Sequence, residues 1–179
     1  MSDASTIGLF SRVSRDNGQW SDLLNQWESE CGKFEENFDE YAPATIDVLR
    51  PLAEETQIAH SGVYAFSKES DYMAMCQLNV AYLPGYHGKV LRVRHILYSP
   101  RFDFDAALAI EDYAAVLTGV FIGVLRSSDT DMLARHIKFH FRSPAEREFY
   151  SVLKEHLKDT SVFEHIDLRG AWLYITKVN

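Results

Sequence analysis

Apolar positions recur at helical spacing in the first third of the chain and with a period of two over much of the rest. A short apolar stretch at Ile7–Val13 predicts a strand, and Asp16-Asn17-Gly18 signals a turn after it. Trp20, Leu23, Leu24, Trp27, Cys31, Phe34, Phe38 and Tyr41 then fall on one helical stripe, with Glu28, Glu30, Glu35 and Glu36 mostly off it. Gly32 predicts one bent helix or two. A second helical pattern covers Thr45–Gln57, with Pro51 inside it as a source of a kink.

From Gly62 the period becomes two. Val63–Ser67, Tyr72–Leu83 and Lys89–Tyr98 read as strands, joined by the polar turn Lys68–Asp71 and the loop Pro84–Gly88. On the second strand Tyr72, Ala74, Cys76, Leu78, Val80 and Tyr82 share a face. On the third, Leu91, Val93, His95 and Leu97 oppose Val90, Arg92, Arg94, Ile96 and Tyr98. After Ser99-Pro100, a helix over Ala106–Arg126 is predicted, capped by Asp103 or Asp105 and apolar nearly all round, as a helix between two layers is. Arg135–Arg142 sets Ile137, Phe139 and Phe141 against His136, Lys138 and His140. Ser143-Pro144 opens a helix to about Lys158, and Ala171–Val178 is a closing strand. Helical crossovers between strands require parallel neighbours, so the expected class is α+β, with a mixed central sheet flanked by helices on both faces. At 179 residues, without repeats or linkers, the chain reads as one domain: residues 1–60 form a strand-helix-helix part and 61–179 a sheet core with two helices.

Composition narrows the function classes. The net charge of −8 lies wholly in residues 1–60, with 12 acids against 4 bases; residues 61–179 hold 14 of each. Nucleic acid is not an expected partner, since phosphate binding needs a basic footprint. The apolar run Tyr113–Leu125 is too short for a membrane span, and Met1-Ser2-Asp3 does not open a signal peptide. Two cysteines, Cys31 and Cys76, suggest neither a disulfide framework nor a zinc site and suit a reducing cytoplasm. His136 and His140 stand four apart on a strand with Lys138 between them, a poor metal pair, so no metal is expected. Lys89, Arg92, Arg94 and Arg101 occur with no acid between residues 72 and 102, and Arg135, Lys138, Arg142 and Arg147 follow. If their strands are neighbours these residues form a basic sheet face, expected to be solvated, to pair with the acidic N-terminal helices, or to attract a carboxylate or phosphate.

Two local stretches carry a resemblance to a known family. Arg101-Phe102-Asp103-Phe104-Asp105-Ala106 follows the third predicted sheet-core strand, and Ser143-Pro144-Ala145-Glu146-Arg147-Glu148-Phe149-Tyr150 opens the last helix. With the element order, they resemble the GNAT-type acyl-CoA N-acyltransferase superfamily over nearly the full chain. In that family the first stretch is Arg/Gln-x-x-Gly-x-Gly/Ala, whose amides cradle a pyrophosphate. Here Arg101 and Ala106 match, Phe104 replaces a glycine, and Asp103 and Asp105 add negative charge. The second is Asn-x-x-Ala-x-x-x-Tyr, of which Tyr150 keeps the tyrosine.

The resemblance implies an N-acyltransferase moving an acyl group from acetyl-CoA or another acyl-CoA to a small-molecule or protein amine. The cofactor would lie against Leu97, Tyr98, Arg101, Phe104 and Ala106. Tyr150 would act as acid and His95 as base, and a homodimer is compatible with this reading. The alternative is a non-catalytic binding or regulatory protein of the same fold that no longer binds coenzyme A in the usual way.

Overall fold

The computed structural model describes residues 8–55 and 58–178. Ile7, Gln57 and the Met1-Ser2-Asp3 start therefore lie outside the described residues. Within them a seven-stranded mixed sheet runs in the order β1-β2-β3-β4-β5-β7-β6. Its strands are β1 (Leu9–Val13), β2 (Ser61–Lys68), β3 (Asp71–Tyr82), β4 (Lys89–Tyr98), β5 (His136–His140), β6 (Phe163–Arg169) and β7 (Trp172–Lys177). All neighbours are antiparallel except β4 and β5. The helices are α1 (Gln19–Lys33), α2 (Pro43–Glu54), the short α3 (Arg101–Phe104), α4 (Ile110–Ser127) and α5 (Pro144–Leu157).

Two apolar layers sandwich the sheet. On one face α1 and α2 bury Trp20, Leu23, Trp27, Ile46 and Leu49 against Val63, Ala65 and Met75. On the other, α4 and α5 bury Leu117, Val120, Phe121 and Tyr150 against Leu78, Leu91, Ile137 and Phe139. Cys31 belongs to the first layer and Cys76 to the second, and both are free and buried. Gly119 and Gly123, one turn apart on α4, let that helix approach β1 and β2. A Cβ at Gly119 would overlap the Phe66 ring, and one at Gly123 the Phe10 ring.

Several sequence expectations need correction. The stripe Trp20–Tyr41 is one helix to Lys33 followed by a 3-10 turn at Phe38–Glu40, so Gly32 marks an end and not a bend. The helix expected from Ala106 begins at Ile110, because residues 101–104 form their own turn of helix. Neither Asp103 nor Asp105 caps α4; Asp112 does, accepting from the Ala109 N–H at 2.8 Å. Strand β6 has no counterpart in the sequence pattern.

The largest correction concerns side-chain direction. Met75 pairs with Leu97 and Gln77 with Arg94, so β4 carries one extra residue between them. This is a bulge, and His95 within it has φ 53°. The left-handed region is costly for any residue with a Cβ. The extra residue reverses the alternation beyond it: Ile96 and Tyr98 join Leu91 and Val93 in the α4/α5 layer, while Leu97 joins the α1/α2 layer. His95 therefore leaves the apolar row in which alternation placed it. A second bulge, at Met73 on β3, turns Tyr72 away from the face of Ala74 and Cys76 in the same manner.

Candidate functional site

The parallel pairing of β4 with β5 runs only from Val90↔His136 to Val93↔Phe139. Beyond it β4 continues to Tyr98, whereas the chain after β5 turns to β7, with Phe141 N–H donating to the Ala171 carbonyl at 3.0 Å. The two strands thus part at the β4 bulge. A bulge and parted parallel strands expose backbone groups inside a sheet, a common setting for a bound ligand.

The gap is crossed on both faces. On the α4/α5 side the Tyr98 phenol donates to Glu146 Oε1 at 3.0 Å. Glu146 is a buried carboxylate in the first turn of α5. Its Oε2 accepts from the N–H groups of Arg142 at 2.7 Å and Ser143 at 3.3 Å. Burial, then the Glu146 charge, pushes the Tyr98 phenol far above its ordinary range. On the α1/α2 side the Arg142 guanidinium donates to His95 Nδ1 at 2.8 Å and to Thr45 Oγ1 at 3.2 Å. Arginine can only donate, so Nδ1 of His95 is the unprotonated nitrogen. Burial, then Arg142, Arg94 and His140, lowers the His95 pKa, which favours the neutral imidazole.

Tyr150 lies fully buried among Phe139, Phe141 and Phe149. Its hydroxyl has no hydrogen-bond partner among the described residues. Desolvation, then Glu146, raises its pKa well above the tyrosine value. The structure thus brings Tyr98, Glu146 and Tyr150 together on one side of the gap and places His95 on the other. Glu146 escaped the sequence reading, although Ser143-x-x-Glu146 is a capping-box pattern that marked it.

The turn assigned by resemblance to a pyrophosphate does not fit one. The N–H of Arg101 donates to Glu30 Oε2, that of Phe102 to the Ser99 carbonyl, those of Asp103 and Phe104 to Pro100, and that of Asp105 to Arg101. Farther on, the Ala107 N–H donates to Asp105 Oδ1 and that of Ala109 to Asp112 Oδ2. Glu111 joins Asp112 in the first turn of α4. An anion site at a helix start needs unengaged N–H donors and no competing negative charge; here the N–H groups of Arg101 to Asp105 are engaged, and Asp103, Asp105, Glu111 and Asp112 add negative charge.

Of the other expected cofactor contacts, all but Ala106 are engaged within the chain. Phe104 packs on Tyr41 and Phe34 in the α1/α2 layer, at ring-centroid distances of 5.8 and 6.2 Å. Leu97 packs against that same layer, and the Tyr98 carbonyl accepts from the Tyr41 phenol at 2.8 Å. Arg101 faces Asp71 at 3.7 Å and contacts Met73, and Ala106 is exposed. His136 bonds Thr176 and the His87 carbonyl, and no group of three or more metal-binding side chains occurs among the described residues.

The expected pairing of the basic face with the acidic helices is not what the structure shows. The ion pairs among the described residues involve neither Arg92, Arg94 nor Arg142. Arg92 instead donates to Asn79 Oδ1, and Lys138 lies over the rings of Trp172 and Tyr174 at 4.6 and 4.8 Å.

No family model matches the sequence, and no curated protein matches it. Solved structures do match. An N-acetyltransferase from Staphylococcus aureus Mu50 is similar at 11% identity, over 96% of this chain and 99% of that one, with a TM-score of 0.51. A protein from Staphylococcus epidermidis ATCC 12228, described as a "probable acetyltransferase", is similar at 9% identity over the same shares, with a TM-score of 0.53. At such identities the likeness shows the fold: the chain has the GNAT-type N-acyltransferase fold, a mixed sheet between two helical layers.

Proposed function

We propose, for a chain with the GNAT-type fold, that it serves as a binding protein and does not take coenzyme A in the fold's usual manner. One observation carries this reading: every N–H from Arg101 to Asp105 already has a partner in the chain. The Tyr98–Glu146 bond across the parted strands supports it, because a ligand threading between β4 and β5 would have to break it. Fold likeness alone does not decide activity.

The test is thermal unfolding of the full chain with acetyl-CoA at a large excess over a micromolar affinity. A ligand held only by the folded state raises the Tm by several degrees under those conditions. We expect no rise; a saturable rise of that size would overturn the reading.

A second reading has its own observation. The parted strands and the bulge at His95 are retained, and they favour an N-acyltransferase acting on an amine with the donor held differently. In it the Nδ1 lone pair of His95, released from Arg142 by the incoming amine, takes the amine proton as base, and Tyr150 is the acid. Acyl transfer from acetyl-CoA to a panel of small amines, lost in His95→Gln, would establish it.

A further inference from the structure

On the α1/α2 side of the parted strands, four cationic or titratable side chains from three segments converge. Arg94 and His95 come from the β4 bulge, His140 from the end of β5, and Arg142 from the segment leading to α5. Arg142 is fixed at two points, by His95 and by Thr45 at the start of α2. The Arg94 side chain makes no hydrogen bond or ion pair to a described residue, whereas that of Arg92 bonds Asn79 and that of Lys138 lies over two rings. His140, at the mouth of the parted strands, packs against Trp172 with ring centroids 4.6 Å apart and ring planes tilted by 55°. Glu146, the carboxylate felt by His140, is already engaged by the Tyr98 phenol and two backbone N–H groups.

Gathering like charges this closely is unfavourable without a counter-charge. The cost shows in the imidazoles: His95 and His140 are both lowered, first by burial and then by Arg142 and Arg94, with Glu146 only partly offsetting this at His140. Among the described residues no carboxylate forms an ion pair with Arg94 or Arg142. Guanidinium forks bind planar or tetrahedral oxyanions through two N–H groups at once.

We propose that this mouth is a binding site for a small organic anion, a carboxylate or a phosphate ester, held by Arg94, Arg142 and His140. The site stands on the β4–β5 geometry and is independent of whether coenzyme A binds.

The test follows the imidazole resonances of His95 and His140 by NMR in the full chain. It is titrated with inorganic phosphate and, separately, with malonate, at an ionic strength held constant with chloride. A bound oxyanion raises both imidazole pKa values saturably, by about one pH unit. A response to phosphate alone assigns phosphate esters, and to malonate alone carboxylates; either supports the site. Arg94→Gln, whose side chain bonds nothing described, weakens binding about tenfold, as does Arg142→Gln. Arg50→Gln on α2 leaves it unchanged. The proposal is overturned if neither anion moves the two histidines beyond the chloride control, or if their response persists in Arg94→Gln. A rise in Tm with acetyl-CoA that leaves both histidines unmoved would remove the binding-protein reading and leave this one intact.

Discussion

Tyr98 and Glu146 meet at 3.0 Å across the place where β4 and β5 separate, one from the end of a strand and the other from the first turn of α5. The bond ties the two halves of the sheet where backbone pairing has stopped. Glu146→Ala leaves a phenol and two N–H groups without their acceptor, so a loss of about 3 kcal/mol is expected. Tyr98→Phe removes one bond and keeps the carboxylate satisfied by the other two, for about 1 kcal/mol. Urea unfolding of both variants and of the double variant checks this. The double variant should be no less stable than Glu146→Ala, since the two changes share one bond.

The turn before α4 can be tested by reconstruction. Phe104→Gly with Asp103→Asn, Asp105→Asn and Asp112→Asn removes a bulky side chain and three charges from the start of that helix. If the turn is what excludes coenzyme A, calorimetry should detect its binding in this variant and none in the parent. Equal binding in both would show that the carboxylates do not matter.

The His95–His140 pair predicts a pH dependence. Both folded-state pKa values lie below the ordinary histidine value near 6.5. The unfolded chain therefore takes up protons first as the pH falls. Their stabilisation is complete above pH 6.5 and is lost as the pH falls through the folded values. The urea midpoint of the parent should thus drop more steeply between pH 7 and pH 5 than that of a His95→Gln, His140→Gln variant. Parallel curves would contradict this.

Gly119 and Gly123 predict a packing cost. A methyl group at either position overlaps a phenyl ring of β1 or β2, so the gain in helix propensity from Gly to Ala, about 1 kcal/mol, is outweighed. We expect each alanine variant to lose a net 1–2 kcal/mol by thermal unfolding. As a contrast, Gly32→Ala meets nothing within 4 Å and should not destabilise.

The sequence disclosed element order because periods of two and of three to four are imposed by burial on one face, and most of these elements have one buried face. It concealed what breaks a period without breaking a pattern. Arg94-His95-Ile96-Leu97 reads as continuous alternation, yet one extra residue exchanges the two faces, and no residue type announces it. Glycine at position 95 would have given the bulge away; histidine, strained at φ 53°, did not. Strand β6 was missed because Glu164, His165, Asp167 and Arg169 dilute its apolar positions, as an edge strand allows. The basic residues were legible one by one. Their convergence at the mouth was not, because it depends on where the backbone bends.

The sheet stands between the two free thiols. Cys31 and Cys76 are held in opposite layers with a β-sheet as partition, so in the native state they cannot reach each other, and an oxidising milieu would have no intramolecular bond to form. They constitute a built-in pair of reporters instead. The rate at which a thiol reagent labels Cys31 records transient opening of the α1/α2 side, and the rate at Cys76 records opening of the α4/α5 side. One chain, without any engineered probe, would tell which layer loosens first.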